Sequence, residues 1–140
     1  MKKSLPALPL LIAILLISGC ASGNPVTAPH PGTTDPLANN AYDVIVAAKG
    51  YLDSEKSQHP ECSTMSSDVC GRISQAVGAK DLLIDALQAY CSGANFLNGG
   101  VCDPLAKGTP AATQVTAKLQ AALSNYNAIA ADLKKSTGGN

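Results

Sequence analysis

Apolar residues recur at intervals of three and four over three long stretches of the chain, and that spacing predicts three amphipathic helices. The first runs from Asn39 or Asn40 to about Ser57. Ala41, Val44, Ala48, Tyr51 and Leu52 share a face, with Ile45 beside them and Asp43, Lys49, Asp53 and Lys56 opposite. Asn40 is its expected N-cap and His59-Pro60 its stop, since a residue before proline is pushed out of the helical region. The second runs from Asp68, capped by Ser67, to about Tyr90. Its stripe is Val69, Ile73, Ala76, Val77, Leu83, Ile84, Leu87 and Cys91, broken only by Lys80, whose stem can lie along it. The third opens on Thr109 as N-cap with Pro110 in the first helical position. It carries a heptad seam of Val115, Leu119, Ala122, Tyr126, Ile129 and Leu133, ending near Gly138-Gly139. No strand pattern competes. The chain therefore reads as all-α, an antiparallel three-helix bundle over residues 38–137, with a short disordered tail at 138–140.

Gly71 and Gly78 interrupt the second helix two turns apart. Interior glycine costs about 1 kcal/mol against alanine, so close approach by a neighbouring helix is the expected return, with plain tolerance as the alternative. Between the second and third helices lies a glycine-rich loop, Ser92 to Gly108, whose first part is bracketed by Cys91 and Cys102. At its centre stands Asn95-Phe96-Leu97-Asn98, with the only phenylalanine of the protein.

Before the first helix the pattern changes twice. Residues 21–36, ASGNPVTAPHPGTTDP, cannot build a core, and residues 20–37 are expected to form an extended tether reaching about 50 Å at most. Ahead of it, Met1-Lys2-Lys3 is a short basic region and Leu5 to Ile17 is almost wholly apolar. That run is shorter than the ~20 residues a bilayer-spanning helix needs and holds two early prolines; it has the layout of a secretory signal peptide, residues 1–19. Its end, Ile17-Ser18-Gly19-Cys20, resembles the lipobox of bacterial lipoproteins. The resemblance implies cleavage before Cys20, a diacylglycerol on the Cys20 sulfur and an N-acyl chain such as palmitate on its amine. It covers about a seventh of the chain and speaks to location, a lipid-anchored place in the cell envelope. In lipoproteins of enteric-type bacteria, Asp after the lipidated Cys signals inner-membrane retention; Ala21 at that position points to the outer membrane where the host has two.

Composition narrows the rest. Of five cysteines, Cys20 is assigned to lipid, and Cys62, Cys70, Cys91 and Cys102 form an even set in an exported domain, which reads as two disulfides. If the second helix is continuous, Cys70 and Cys91 stand about 31 Å apart, far beyond the ~7 Å a bridge allows. Pairing Cys62 with Cys91 would need the first connection to cross the full bundle, so the local pairs Cys62–Cys70 and Cys91–Cys102 are expected, one at each end of that helix. The spacings do not suit zinc, and the two histidines, His30 and His59, fall at expected exposed positions, so no metal site is expected. Without Lys2 and Lys3, eight basic residues face ten acids. That balance carries no footprint for nucleic acid.

Catalysis has little to work with. Asp81 and Asp85 are one turn apart but on the polar side beside Lys80, and no histidine is placed to activate a serine or threonine. No enzyme, cofactor or catalytic residue is expected beyond the acyl chains on Cys20. The reading is a non-catalytic envelope lipoprotein acting through protein–protein contacts with an envelope partner. Phe96 and Leu97 are the candidate contact, set against the alternative that they fold back as a plug. Three rival readings differ in what they require. An inhibitor, immunity or exclusion lipoprotein blocking an incoming enzyme, phage or conjugation machine needs the loop as its probe. A subunit of an envelope assembly needs an apolar patch on a helix face, and a small-ligand carrier needs a cavity between helices.

Overall fold

The computed structural model describes residues 35–92 and 102–138. The expected signal peptide, Cys20, nearly all of the tether, Phe96, Leu97 and residues 139–140 lie outside the described residues. Within them the fold is all-helical: α1 (Pro36–Gln58), a short 3-10 turn (Pro60–Ser63), α2 (Asp68–Tyr90) and α3 (Pro110–Ser136). None of the described helices is long and apolar enough to cross a membrane.

α1 begins four residues earlier than its apolar pattern suggested. Asp35, not Asn40, is the cap: its Oδ1 accepts the backbone N–H of Leu37 and of Ala38, each at 3.0 Å. Pro36 takes the first helical position, where a missing N–H costs nothing. The core seam is accordingly Ala38, Ala41, Ile45, Ala48, Leu52 and Glu55, a strict three–four alternation, with Tyr42 beside it. Val44 and Tyr51 are only half-buried. His59 closes the helix by donating its backbone N–H to the Glu55 carbonyl at 3.0 Å.

α2 and α3 keep the boundaries their patterns predict. Ser67 Oγ accepts the Cys70 N–H at 3.2 Å, and Thr109 Oγ1 accepts that of Ala112 at 3.1 Å. Pro110 follows the Thr109 cap, and α3 ends in Lys134 and Lys135 before Gly138, whose φ of 73° lies in the left-handed region that glycine enters freely. The core draws on all three helices. Tyr42, Ile45, Leu83, Leu87, Leu119, Leu123 and Tyr126 belong to one cluster. Leu52, Ile73, Ala76 and Leu133 form a second, smaller one. α1 contributes three alanines, Ala38, Ala41 and Ala48, beside Tyr42, Ile45 and Leu52.

The two disulfides are Cys62–Cys70 and Cys91–Cys102, with Cα atoms 5.1 Å and 4.6 Å apart. They flank α2 at its first and last turns. Gly71 and Gly78 differ from expectation: both are exposed, and a Cβ built on either would meet nothing within 4 Å. No neighbouring helix approaches there among the described residues, so the glycines serve no packing contact.

Candidate functional site

Two ends of the helical domain hold its unusual chemistry. At the first, Tyr90 in the last turn of α2 is buried, and its hydroxyl donates to the Asp35 carboxylate. Burial chiefly, and then that hydrogen bond and the charge of Asp35, push the Tyr90 phenol up to about 12. One carboxylate thus caps α1 and ties it to α2. Beside it the Cys91–Cys102 bridge is buried, and Ser92, held at a φ of 57°, donates its hydroxyl to the Asp103 carbonyl at 2.8 Å. A φ in this region is uncommon for a residue other than glycine, so both ends of the bracketed loop are fixed by specific contacts. Phe96 and Leu97, the candidate contact residues, lie between these anchors and outside the described residues.

Next to the bridge lies an open groove of about 580 Å³. Pro36, Leu37, Leu105 and Val115 give it an apolar lining, and Asp35 and Lys107 supply its charges. Sequence reasoning missed this groove because Asp35 and Pro36 read as tether, and the stretch after Cys102 as loop. The dipeptide Asp35-Pro36, a cap residue followed by proline, is the same signal as Thr109-Pro110 and was available to find it.

At the second end, His59 is half-buried rather than exposed. Its Nδ1 meets Glu61 Oε1 at 2.9 Å, and its Nε2 stands 3.9 Å from Glu55 Oε2. Glu55 is only 7% exposed and its Oε2 has no hydrogen-bond partner, an expensive state for a buried acceptor. The backbone and the His59 contact hold the Glu61 carboxyl below its usual range. Tyr51 is pushed up, by burial first; the Thr137 hydroxyl opposes this and Glu55 reinforces it. Lys134 Nζ lies 5.5 Å from the centre of the Tyr51 ring, a cation–π contact across α1 and α3. Between those helices runs a second groove of about 280 Å³, lined by Val44, Ala48, Tyr126 and Ala130.

These groups form a row of acid, imidazole and acid, and neither groove is lined by Glu55, His59 or Glu61. Glu61, Cys62 and Cys70 are the one trio of potential metal donors that lie close together among the described residues. Both sulfurs are committed to the disulfide, so neither can serve as a thiolate ligand. Asp81 and Asp85 are exposed, with Asp81 Oδ1 2.9 Å from Lys80 Nζ, as a solvated face requires. On α2, Leu82 is 61% exposed.

The chain matches no protein-family model, and no curated protein and no solved structure is similar to it.

Proposed function

We propose that this chain is a non-catalytic, lipid-anchored protein of the cell envelope that acts through protein–protein contacts. The observation that carries the reading is Ile17-Ser18-Gly19-Cys20 at the end of a short apolar run behind a basic start. Cys20 would carry a diacylglycerol and an N-acyl chain; more than one acyl chain gives stable attachment where a single chain is marginal. Ala21 favours the outer membrane in a host with two. Two disulfides suit the oxidising compartment such a protein would occupy.

The helices are proposed to run up, down and up as an antiparallel three-helix bundle. In support, Leu52, Ile73 and Leu133 meet in one cluster, while Asp35, Tyr90 and Val115 border one groove. No metal, cofactor or nucleic acid enters this reading. The partner contact is assigned to Phe96 and Leu97, which an inhibitor, immunity or exclusion role would also use. A role as an assembly subunit would instead draw on the exposed Leu82 of α2 or the alanine-lined groove between α1 and α3. A small-ligand carrier would have to use an open groove.

The test is a crosslinking pull-down of the full-length protein from its own membranes, beside a Phe96→Ala/Leu97→Ala variant. A partner lost by the variant supports loop-mediated recognition. A partner kept by both moves the contact to a helix face. Mass spectrometry of the same material reads the acylation of Cys20 directly, and an unmodified Cys20 overturns the anchoring.

A further inference from the structure

The groove beside Asp35 is open, apolar and placed where the chain enters the helical domain. Leu105 is 36% exposed and Pro36 is exposed on its rim. Lys107 is exposed and forms no ion pair among the described residues. Asp35, the acid in the wall, is turned to the N–H groups of α1 and to Tyr90. Asp103 is exposed nearby, so the charges at this end nearly balance, and its distinguishing feature is apolar surface with a cation among it. The opposite end, residues 60–67, also exposes one large apolar side chain, Met65, but sets it among Ser63, Thr64 and Ser66 with Glu61 and Asp68 beside them.

Fourteen residues separate Cys20 from Asp35. A flexible segment of that length has a root-mean-square span of about 20 Å. Resting on acylation of Cys20, we infer that the groove end of the domain is a bilayer-facing surface: Pro36 and Leu105 seat at the lipid interface, and Lys107 reaches the headgroup phosphates. The tether makes the encounter intramolecular, so local concentration replaces intrinsic affinity and a few apolar side chains suffice to bias orientation. Lysine suits this place because its stem lies along apolar surface while its ammonium stays at the polar boundary. The stapled loop between Cys91 and Cys102 then starts and ends at the membrane-proximal end, whereas His59 and Glu61 are presented to the compartment.

The experiment uses the full-length acylated protein in bilayer nanodiscs doped with a gadolinium-chelating headgroup lipid, read by broadening of backbone amide signals. Residues 37 and 105–108 should broaden at least fivefold more than residues 61–66. A Leu105→Ser/Lys107→Glu variant, altered only at exposed positions, should lose that contrast while keeping its thermal unfolding temperature. Equal broadening at both ends, or stronger broadening at 60–66, with Cys20 shown by mass to be acylated, overturns the inference and leaves the anchoring reading standing. An unmodified Cys20 overturns both.

Discussion

The two ends of α2 are each closed by a short disulfide loop, yet they solve opposite problems. At the Cys91–Cys102 end the buried polar groups have partners: Asp35 serves α1 and Tyr90 together, and Ser92 bonds the Asp103 carbonyl. At the Cys62–Cys70 end a nearly buried glutamate keeps an oxygen without a hydrogen bond among the described residues, and the His59 Nε2 stands 3.9 Å away. The first end is held by satisfied contacts and the second by covalent closure over an unsatisfied one. A staple therefore does different work at each end, which mutation can expose.

The largest effects should come from the core beneath each end. Leu87 and Leu133 are both fully buried, one in the cluster toward the groove and one in the smaller cluster beside Ile73. Leucine-to-alanine changes at such sites cost about 2–5 kcal/mol. Leu133→Ala should lie lower in that range, because a four-residue cluster has fewer neighbours to leave a void among. Chemical denaturation of both variants checks this. A single transition in each shows that the ends unfold as one unit, and two transitions in Leu133→Ala would split the domain into separate halves.

Removing a staple comes next. Loops of this size contribute roughly 2.6 to 2.8 kcal/mol each by chain entropy, so entropy alone barely separates the two. Burial does separate them. Cys91 and Cys102 are 1% and 4% exposed and belong to the main cluster, whereas Cys62 is half-buried. Paired alanine substitution at Cys91 and Cys102 should thus cost more than the same change at Cys62 and Cys70, by about 1 kcal/mol for the lost packing. Under mild reductant the Cys62–Cys70 bridge should open first, which peptide mapping after thiol alkylation would read. Equal costs and equal reduction would remove the contrast.

Tyr90 gives the groove end a pH signature. Its phenol titrates near 12 in the folded protein against about 10 in an unfolded chain. A group raised in the folded state stabilises below its unfolded pKa and loses that contribution as pH rises through its folded one. Stability should fall between pH 10 and 12, by about 2 kcal/mol from Tyr90, and Tyr90→Phe should flatten that part of the curve. At the other end a substitution should stabilise: Glu55→Gln replaces a buried carboxylate whose Oε2 has no hydrogen bond among the described residues, and should raise stability by about 1 kcal/mol. A loss of stability instead would show that Glu55 is paired through a water or through protonated His59.

How much of this was legible in the sequence depends on how far each feature is set by near neighbours. The starts of α2 and α3 could be placed to the residue because Ser67, Thr109 and Pro110 are local signals with local causes, and Gly138 placed the end of α3 to within two residues. The disulfide pairing followed from helix rise, which excludes Cys70–Cys91, and from the span the first connection would need to cross to join Cys62 to Cys91. α1 started earlier than read, since the cap-and-proline signal of Asp35-Pro36 sits in a proline-rich run that reads as tether; its contact with Tyr90, far along the chain, ties it to the domain. The groove shares that origin: its walls come from segments 35–37, 104–108 and the start of α3, which no local pattern connects. His59 was misplaced because proline predicts where a helix stops, not which way the stopped side chain turns. Glu55 continues the four–three spacing of Ala48 and Leu52 into the core, but the seam read from the sequence was made of apolar residues and did not include it.

The smallest prediction concerns the glycines of α2, where the reading of the sequence and the structure part most plainly. Had Gly78 admitted a neighbouring helix, alanine there would push that helix away and destabilise the domain. With nothing within 4 Å of a built Cβ, the only effect left is the backbone one. Alanine lowers the conformational freedom of the unfolded chain and covers part of the helix backbone. Gly78→Ala should therefore stabilise by up to about 1 kcal/mol. Gly71→Ala should gain less, because Gly71 lies in the first turn, next to Cys70, where the staple already restricts the unfolded chain. Thermal unfolding of the two variants, each in the oxidised and the reduced protein, separates these contributions: reduction should bring the Gly71 gain closer to that of Gly78. A destabilising Gly78→Ala would mean that this outer face of α2, with Leu82 beyond it, is covered by a second molecule in solution.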